Sequence, residues 1–237
     1  MAERSALASL IQMQHLTDDA IESYRKAFES HPARFVVLED FLVPEMAGRL
    51  SEFLRKEAEF ATEFGLYSVE DRPVTEDEWA SAPEQDRFFR FSKLVGTPPE
   101  LRLSDNSLAY LRFRTAFQRD DDLRAFFENV TGMRLAVSDD FGSHSMEIGD
   151  FLKSHDDDNR NRRLALVLYL SPDWQSAQGG TLHIVDGTGN ESLVPARYNS
   201  LVAFDTRAGT THYVAPVAET AGDQKRVTIG GWYHDPD

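Results

Sequence analysis

The sequence predicts an α+β protein that is mainly β, with N-terminal helices supporting a sandwich or barrel of short strands. Before residue 132 the apolar residues recur mostly at helical spacing. From residue 134 onward, short apolar or alternating segments are separated by Gly, Pro, Asn and Asp residues that favour turns. Many closely spaced short strands are typical of sandwiches and barrels. We expect one domain over residues 1–237, in which residues 132–237 form the β core and residues 1–131 support it.

The first half of the chain is expected to contain three helices and one strand. Thr17 precedes two acidic residues, as is typical of a helix start, and Pro44 suits the first turn of a second helix. Residues 65–100 are irregular and rich in charge, proline and aromatic residues, which favours a lid or a substrate-facing loop. The expected elements are a helix over 18–30, a strand over 35–38, a helix over 44–62, and a helix over 108–127 with a break near 119–122.

The second half is expected to supply most of the strands. The strand that begins at Leu164 is apolar on both faces, which is typical of a strand between a pocket and a packing layer. Residues 187–190 suit a hairpin tip because they contain two glycines and an asparagine. The expected strands cover residues 164–170, 181–185, 199–204, 211–217 and 226–233.

The composition excludes several kinds of site and partner. The chain has no cysteine, which excludes disulfides, thiolate catalysis and cysteine-ligated metals and leaves His, Asp and Glu as metal ligands. A formal net charge of -15 argues against a nucleic-acid backbone or an anionic membrane as the main partner. No apolar run approaches the roughly 20 residues of a transmembrane helix, and no signal-peptide pattern is present, so we expect a cytoplasmic location.

A His-x-Asp pattern followed by a distant histidine indicates a metal site. His155 and Asp157 lie two positions apart, so on a strand or at a strand end both side chains point to one face. His212 comes from a later predicted strand. Two imidazoles and one carboxylate hold a ferrous ion on one face and leave its other positions open. We therefore predict His155, Asp157 and His212 as metal ligands.

Alternatives to these ligands stay open at this point. Asp156 and Asp158 adjoin Asp157, and we expect Asp158 to be solvated because Asp157 alternates with the first histidine. A His-Asp-Asp-Asp sequence can equally be a polar surface turn. His183 competes with His212 for the role of second histidine. We expect His144 and His183 in or near the pocket, and His15, His31 and His234 at the surface.

An arginine near the C-terminus indicates an anion-binding position beside the metal. Arg226 and Thr228 share one face of an otherwise apolar strand. A buried guanidinium needs an anionic partner, and a carboxylate fits its geometry. Lys225 is the rival cation, but alternation places it on the opposite face from Thr228. The pair therefore suits the carboxylate of a cosubstrate.

These segments together resemble one known family. The chain is similar to the iron(II)/2-oxoglutarate-dependent dioxygenases, in the prolyl 4-hydroxylase-like branch that includes ribosomal-protein prolyl hydroxylases. The resemblance implies a double-stranded β-helix core of the jelly-roll or cupin-like kind. It covers roughly residues 35–235 and is carried, in order, by residues 35–42, 149–157, 163–170, 179–182, 199–204, 211–217 and 226–232.

The resemblance also implies roles for individual residues. His155, Asp157 and His212 would bind Fe(II), and Arg226 would bind the distal carboxylate of 2-oxoglutarate with Thr228 as an auxiliary donor. Tyr169 lies on the strand that commonly helps to line the cosubstrate pocket. Dioxygen would be the second cosubstrate, and ascorbate is a candidate stimulant. The chain departs from the family at Met146, where a tyrosine is common, so a hydrogen-bond donor to the cosubstrate is missing or supplied elsewhere.

The resemblance implies hydroxylation of an unactivated C–H bond, with decarboxylation of 2-oxoglutarate to succinate. The presence of Asp157 disfavours halogenation, because iron halogenases replace this carboxylate with a small residue. We expect a small-molecule or aminoacyl substrate, an amino acid that is free or carrier-bound, and no nucleic-acid or membrane partner. The alternatives are a peptidyl-prolyl hydroxylase acting on a protein, a desaturase or cyclase that uses the same site, and a non-catalytic metal-binding barrel. A zinc hydrolase is disfavoured by Arg226 and Thr228.

Overall fold

The main feature of the structure is an antiparallel sheet that curls into a nearly closed barrel. The computed structural model describes residues 7–157 and 161–236. Every strand pairing within these ranges is antiparallel. The predicted class, mainly β with N-terminal helices, is therefore confirmed.

Twelve strands build the sheet in the described ranges, and eight of them lie within the predicted β core. The strands are β1 (Phe35–Leu38), β2 (Glu59–Leu66), β3 (Val69–Val74), β4 (Arg87–Gly96), β5 (Phe141–Met146), β6 (Phe151–His155), β7 (Arg162–Tyr169), β8 (Leu182–Val185), β9 (Glu191–Val194), β10 (Leu201–Asp205), β11 (Thr211–Val214) and β12 (Arg226–His234).

The strand order divides the barrel into two walls. One wall, the larger sheet, has the order β1-β10-β7-β12-β5, and the other, the smaller sheet, has the order β6-β11-β8-β9. Strand β4 joins them, since one of its edges pairs with β6 at Phe89 and Arg90 and with β5 at Ser92 and Lys93. Strand β2 pairs with β4, and β3 pairs with β2. The two walls consequently face each other across a common interior.

The helices begin and end where the sequence supplies capping groups. The Thr17 side chain accepts a hydrogen bond from the Ala20 amide at the start of the first helix, as predicted. Asp120 is extended and caps the last helix, which explains the predicted break near residues 119–122. Gly132, at a φ of 73°, ends that helix. The helices are α1 (Asp18–Ser30), α2 (Pro44–Glu52), α3 (Glu76–Ser81), α4 (Asp105–Arg119) and α5 (Asp121–Thr131).

Four of these helices (α1, α2, α4 and α5) pack against the outer face of the larger sheet. Strand β7 shows how the faces are divided, because Leu166 and Leu168 belong to the core shared with the helices. Ala165 and Tyr169 belong instead to the core inside the barrel. The burial predicted for both faces of this strand is confirmed. Burial of each large apolar side chain contributes about 1.5–3 kcal/mol, so this two-sided core holds the barrel in shape.

Two expectations for the first half were wrong. The helix predicted over 44–62 ends at Glu52, a short π-helical turn follows over Phe53–Glu57, and β2 begins at Glu59. The loop predicted over 65–100 contains all of β3 and β4 together with α3. The cause is the pairing of β2 with β4, which joins residues far apart in sequence and overrides local propensity.

Other expectations for the described residues stand. The hairpin predicted at 187–190 connects β8 to β9, and the strands predicted from 164 to 233 are confirmed with small shifts at their ends. Among the described residues, no helix combines the length and apolarity that crossing a bilayer requires. The assignment of residues 1–237 to one domain stays a prediction.

A buried asparagine connects the helical support to the barrel. Asn199 has a φ of 57°, a left-handed conformation that asparagine tolerates better than most residues. Its side chain accepts a hydrogen bond from the Leu42 amide at 3.0 Å and donates one to the Leu42 carbonyl at 2.9 Å. Its backbone amide donates to the Tyr169 carbonyl at 2.8 Å. Asn199 therefore fixes the segment before α2 onto strand β7.

We predict that Asn199→Ala lowers the free energy of unfolding by about 2–4 kcal/mol, because it leaves two buried backbone groups without partners. Urea denaturation followed by circular dichroism measures this change. Asn190→Ala is the matched control, since Asn190 is exposed and bonds only within the β8–β9 turn. Equal unfolding midpoints for Asn199→Ala and the unmodified protein would contradict the role of this contact.

Candidate metal centre and anion clamp

Three predicted ligand side chains meet inside the barrel. His155 ends β6 and lies directly opposite His212 of β11, with ring centroids 4.2 Å apart. Asp157 follows β6, and its Oδ2 lies 3.4 Å from His212 Nε2. One ligand atom from each of the three side chains lies within 4.8 Å of the other two. This arrangement could hold one metal ion with three protein ligands.

A shift of register in β6 turns the first histidine inward. Leu152 is opposite Val214 and His155 is opposite His212, so three residues of β6 span the same length as two of β11. An extra residue in one strand reverses the alternation of side chains beyond it. His155 therefore lies on the same side as Leu152, which packs against the interior core. Nothing in the sequence marks this bulge.

The environment of His155 leaves one ring nitrogen available to a metal. Its Nδ1 lies 2.9 Å from the Lys153 carbonyl oxygen, which assigns the proton to Nδ1 and the lone pair to Nε2. Burial lowers the pKa of His155 to about 4, and the nearby His212 acts in the same direction. The imidazole is therefore neutral near pH 7, as a metal ligand must be.

Two donors hold the carboxylate of Asp157 in place. Arg162 Nη1 donates to Oδ1 at 3.2 Å, and Trp232 Nε1 donates to Oδ2 at 3.0 Å. Arg162 also donates to Asp140 at 2.7 Å and lies 3.6 Å from the centroid of the Trp232 ring. Burial acts to raise the pKa of Asp157, but the hydrogen bond and charge of His212 and the other neighbours outweigh it. The pKa of Asp157 consequently lies below its usual value.

Arg226 is buried on the opposite wall without an anionic partner. It lies in β12, and no carboxylate of the described residues forms an ion pair with it. Its Nη1 contacts the Met146 sulfur at 3.4 Å, its Nε has no hydrogen-bond partner, and its Cζ lies 5.0 Å from the centroid of the Tyr169 ring. Burial lowers the pKa of Arg226. An unpaired buried guanidinium is costly, so this position suits a bound anion.

The neighbours of Arg226 include both of the other predicted cosubstrate residues. Thr228 is two residues from Arg226 along the same strand and is buried. Tyr169 is the direct cross-strand partner of Thr228. The Tyr169 hydroxyl is also buried without a hydrogen-bond partner, close to Arg226 but outside bonding geometry. Two unsatisfied donors that face the same space fit a carboxylate better than they fit a closed protein core.

Gly180 provides the room in which the Arg226 side chain lies. Its φ is 66°, and a Cβ atom at this position would lie 2.6 Å from Cδ of Arg226. The glycine is therefore required both by the backbone conformation and by the close approach of the guanidinium stem. Residue spacing along the sequence does not reveal this contact, because it joins β12 to a residue far away in the chain.

The rival residues lie elsewhere. His183 stacks on Tyr213 with ring centroids 4.4 Å apart and lies 3.1 Å from the Glu191 carboxylate. Lys225 is exposed and pairs with Glu147 at 3.3 Å. Asp156 is exposed. Asp158, which we expected to be solvated, lies outside the described residues.

Two histidines were assigned wrongly, because His183, expected near the pocket, lies on the outer face of β8, and His15 is buried. His15, predicted at the surface, is 1% exposed, and its Nδ1 lies 2.8 Å from the Tyr24 hydroxyl while its Nε2 lies 3.1 Å from the Asp40 carbonyl. Its burial follows from tertiary packing of the N-terminal segment on Phe41, which residue spacing does not reveal. His31 and His234 are half-buried.

Three phenylalanines on β4 lie in a row beside His155 of the candidate metal centre. The Phe88 ring lies edge-on to His155 with centroids 5.5 Å apart, and Tyr67 stacks on Phe88 at 4.8 Å. Phe89 is 5.4 Å from Phe88 and 4.6 Å from Phe91, and all three phenylalanines are half-buried. We call Phe88, Phe89 and Phe91 the aromatic row. It belongs to the segment predicted as a lid or substrate-facing loop, although that segment is mostly strand.

Comparison with known proteins gives a family for this site. Residues 142–234 match the family model of the 2OG-Fe(II) oxygenase superfamily. The match begins in β5 and ends in β12, so it contains the three candidate metal ligands and Arg226.

Curated relatives with similar sequences carry the names of prolyl hydroxylases. Prolyl 3-hydroxylase OGFOD1 of Xenopus laevis is 35% identical over 122 residues, which are 48% of this chain and 23% of that protein. Prolyl 3-hydroxylase sudestada1 of Drosophila melanogaster is 30% identical over 151 residues, which are 57% of this chain and 26% of that protein. The matched part thus spans about a quarter of the length of these relatives.

Solved structures show the same fold at lower sequence identity. A prolyl-4-hydroxylase of Pseudomonas putida superposes with a TM-score of 0.60 at 19% identity, over 92% of this chain and 100% of that chain. A prolyl hydroxylase of Trichoplax adhaerens, in complex with a hypoxia inducible factor peptide fragment, gives 0.58 at 13% identity, over 92% and 94% of the two chains. The expected double-stranded β-helix is therefore confirmed.

The family match, the order of the motifs and the His-Asp-His geometry agree with one another. They imply Fe(II), 2-oxoglutarate and dioxygen as the cofactor and cosubstrates. Residues 142–234 therefore match the 2OG-Fe(II) oxygenase superfamily, and the fold around them is that of prolyl 4-hydroxylase structures.

Proposed function

We propose that this protein is an Fe(II)/2-oxoglutarate-dependent hydroxylase in which His155, Asp157 and His212 hold the iron. Arg226 would bind the distal carboxylate of 2-oxoglutarate, with Thr228 and Tyr169 beside it. The observation that supports this best is the coexistence of two incomplete sites in one barrel. One is a cluster of three potential metal ligands, and the other is a buried guanidinium that has no anionic partner among the described residues.

The chemistry requires both sites. Bound iron and 2-oxoglutarate supply activated dioxygen, so that 2-oxoglutarate, O2 and a substrate C–H yield succinate, CO2 and a C–OH group. The protein's residues orient the reactants. His212 and the other neighbours keep Asp157 ionised, Arg162 and Trp232 fix its orientation, and Arg226 sets the direction of the cosubstrate. The aromatic row on β4 lies beside His155 and excludes water there.

The substrate proposed is an amino acid or an aminoacyl group with an aliphatic C–H bond. The half-buried aromatic row next to His155 suits an apolar side chain or a saturated ring rather than a charged group. A free or carrier-bound amino acid is our leading candidate. A prolyl residue within a peptide is the second, and it is favoured by the names of the relatives in Xenopus laevis and Drosophila melanogaster. A cytoplasmic location stays part of this proposal.

We predict that Asp157→Ala weakens binding of Mn(II), used as an air-stable substitute for Fe(II), by at least about 100-fold, because it removes the anionic ligand. Isothermal titration calorimetry measures this affinity. Asp156→Ala is the matched control, since Asp156 is the exposed neighbour and should leave metal affinity unchanged. Similar losses in both variants would count against Asp157 as a ligand.

We predict that Arg226→Gln weakens 2-oxoglutarate binding by about 100-fold, since two charge-assisted hydrogen bonds are lost. The titration uses Mn(II)-loaded protein under anaerobic conditions, and metal affinity itself should not change. Lys225→Gln tests the rival cation, which is exposed and paired with Glu147, and should bind 2-oxoglutarate normally. If Lys225→Gln is the weaker binder of the two, the assignment of the clamp to Arg226 is wrong.

We predict that succinate release rises above its substrate-free rate with at least one amino acid or prolyl peptide. Phe88→Ala should raise the KM for that substrate by about 10-fold, because it removes apolar contact area beside His155. Mass spectrometry identifies the oxygen added to the product and separates free amino acids from peptides as substrates. Metal and 2-oxoglutarate binding without any substrate-dependent succinate would favour a non-catalytic barrel instead.

A further inference from the structure

A third histidine, His144, faces the space around Arg226, in addition to the two candidate metal ligands. His144 lies in β5, where it is directly opposite Thr228 of β12 on one side and Lys93 of β4 on the other. Directly opposed residues of antiparallel strands share a face, with Cβ atoms about 4.5–5.5 Å apart. Tyr169 is opposite Thr228 in turn. Tyr169, Thr228 and His144 therefore form a polar row across three strands on the interior face of the barrel, and the row ends at Lys93, which is exposed.

The imidazole of His144 makes no hydrogen bond to any residue that the structure describes. Its ring lies edge-on to Phe91 with centroids 5.1 Å apart, and no other ring contact is formed within the described ranges. Burial lowers the pKa of His144 to about 4, and the charges of Lys93 and Arg226 act in the same direction. The ring is therefore neutral near pH 7 and offers one N–H donor and one acceptor.

Met146 explains why a hydrogen-bond donor from His144 is needed. It is two residues from His144 on the same strand, so both side chains point to the interior. Members of the family that this chain resembles often have tyrosine at the position of Met146, and tyrosine donates a hydrogen bond. A thioether cannot donate one, and here its sulfur accepts the contact from Arg226 Nη1 at 3.4 Å. The site therefore has no tyrosine donor at position 146, beside a guanidinium that has no anionic partner among the described residues.

We infer that His144 supplies the missing donor, hydrogen-bonding the 2-oxoglutarate carboxylate that Arg226 holds. The inference rests on the proposed function, because it concerns the same cosubstrate. It also gives a role to an imidazole that has no hydrogen-bond partner among the described residues at the strand position opposite Thr228. His144 and Met146 act as a pair, the imidazole donating where the thioether cannot.

The direct test measures 2-oxoglutarate binding to Mn(II)-loaded protein under anaerobic conditions by isothermal titration calorimetry. His144→Phe keeps the ring and removes the donor, so it should weaken binding by about 10- to 100-fold, the range for one hydrogen bond to a charged group. His144→Leu is a second variant without a donor, should the larger ring fit poorly. His144→Gln retains an N–H donor and should stay within a few fold of the unmodified protein. Mn(II) affinity should be unchanged in all three.

The decisive result is rescue by restoring the tyrosine. The double variant His144→Phe with Met146→Tyr should recover most of the lost 2-oxoglutarate affinity, which a purely structural role of His144 would not allow. His183→Gln is the matched control, because His183 contacts Tyr213 and Glu191 and should not affect binding. Unchanged affinity in both His144→Phe and His144→Leu overturns the inference but leaves the proposed function intact. If the unmodified protein binds Mn(II) but not 2-oxoglutarate, the proposed function fails as well.

Discussion

The pairing of β6 with β11 is the constraint on which the site depends. It places His155 opposite His212, and the bulge within β6 turns the first histidine from the outer face to the interior. Without that extra residue, the two imidazoles would lie on opposite faces of the smaller sheet and could not reach one ion. The helices contribute indirectly, because they support the larger sheet and keep the opposite wall, with Arg226, facing the same interior.

The two walls differ in how far their buried charges are compensated by neighbouring groups. The carboxylate of Asp157 is buried but compensated, with donors on both oxygens and two imidazoles beside it. The guanidinium of Arg226 is buried and uncompensated within the described residues. An unpaired buried cation destabilises the folded protein. Binding of a dicarboxylate would offset that free energy. Between the walls, β4 presents the aromatic row, so an apolar surface separates the metal position from the polar row that ends at Lys93.

The β core and the residues that meet in it could be predicted because their signals are local. Leu164 to Leu170 is apolar on both faces, which predicts a strand buried on both sides, and alternation along the strand assigns Arg226 and Thr228 to one face. The strands β2 to β4 could not be predicted in this way, since β4 is defined by its pairing with β2 and with both walls. The bulge before His155, the burial of His15 and the contact of Gly180 with Arg226 depend on tertiary neighbours in the same way. The inward position of His144 depends on its pairing with Thr228 and Lys93, which the sequence does not reveal.

The most direct measurement of the central claim is an anaerobic optical titration of the Fe(II)-loaded protein with 2-oxoglutarate. Chelation of iron by the cosubstrate should produce a weak visible metal-to-ligand charge-transfer band that saturates with one equivalent of 2-oxoglutarate. The band should be lost in His212→Ala and should need about 100-fold more 2-oxoglutarate in Arg226→Gln. Absence of the band at saturating iron and 2-oxoglutarate, with iron still bound, would contradict the account. The same would follow from a band that persists at full intensity and unchanged affinity in Arg226→Gln.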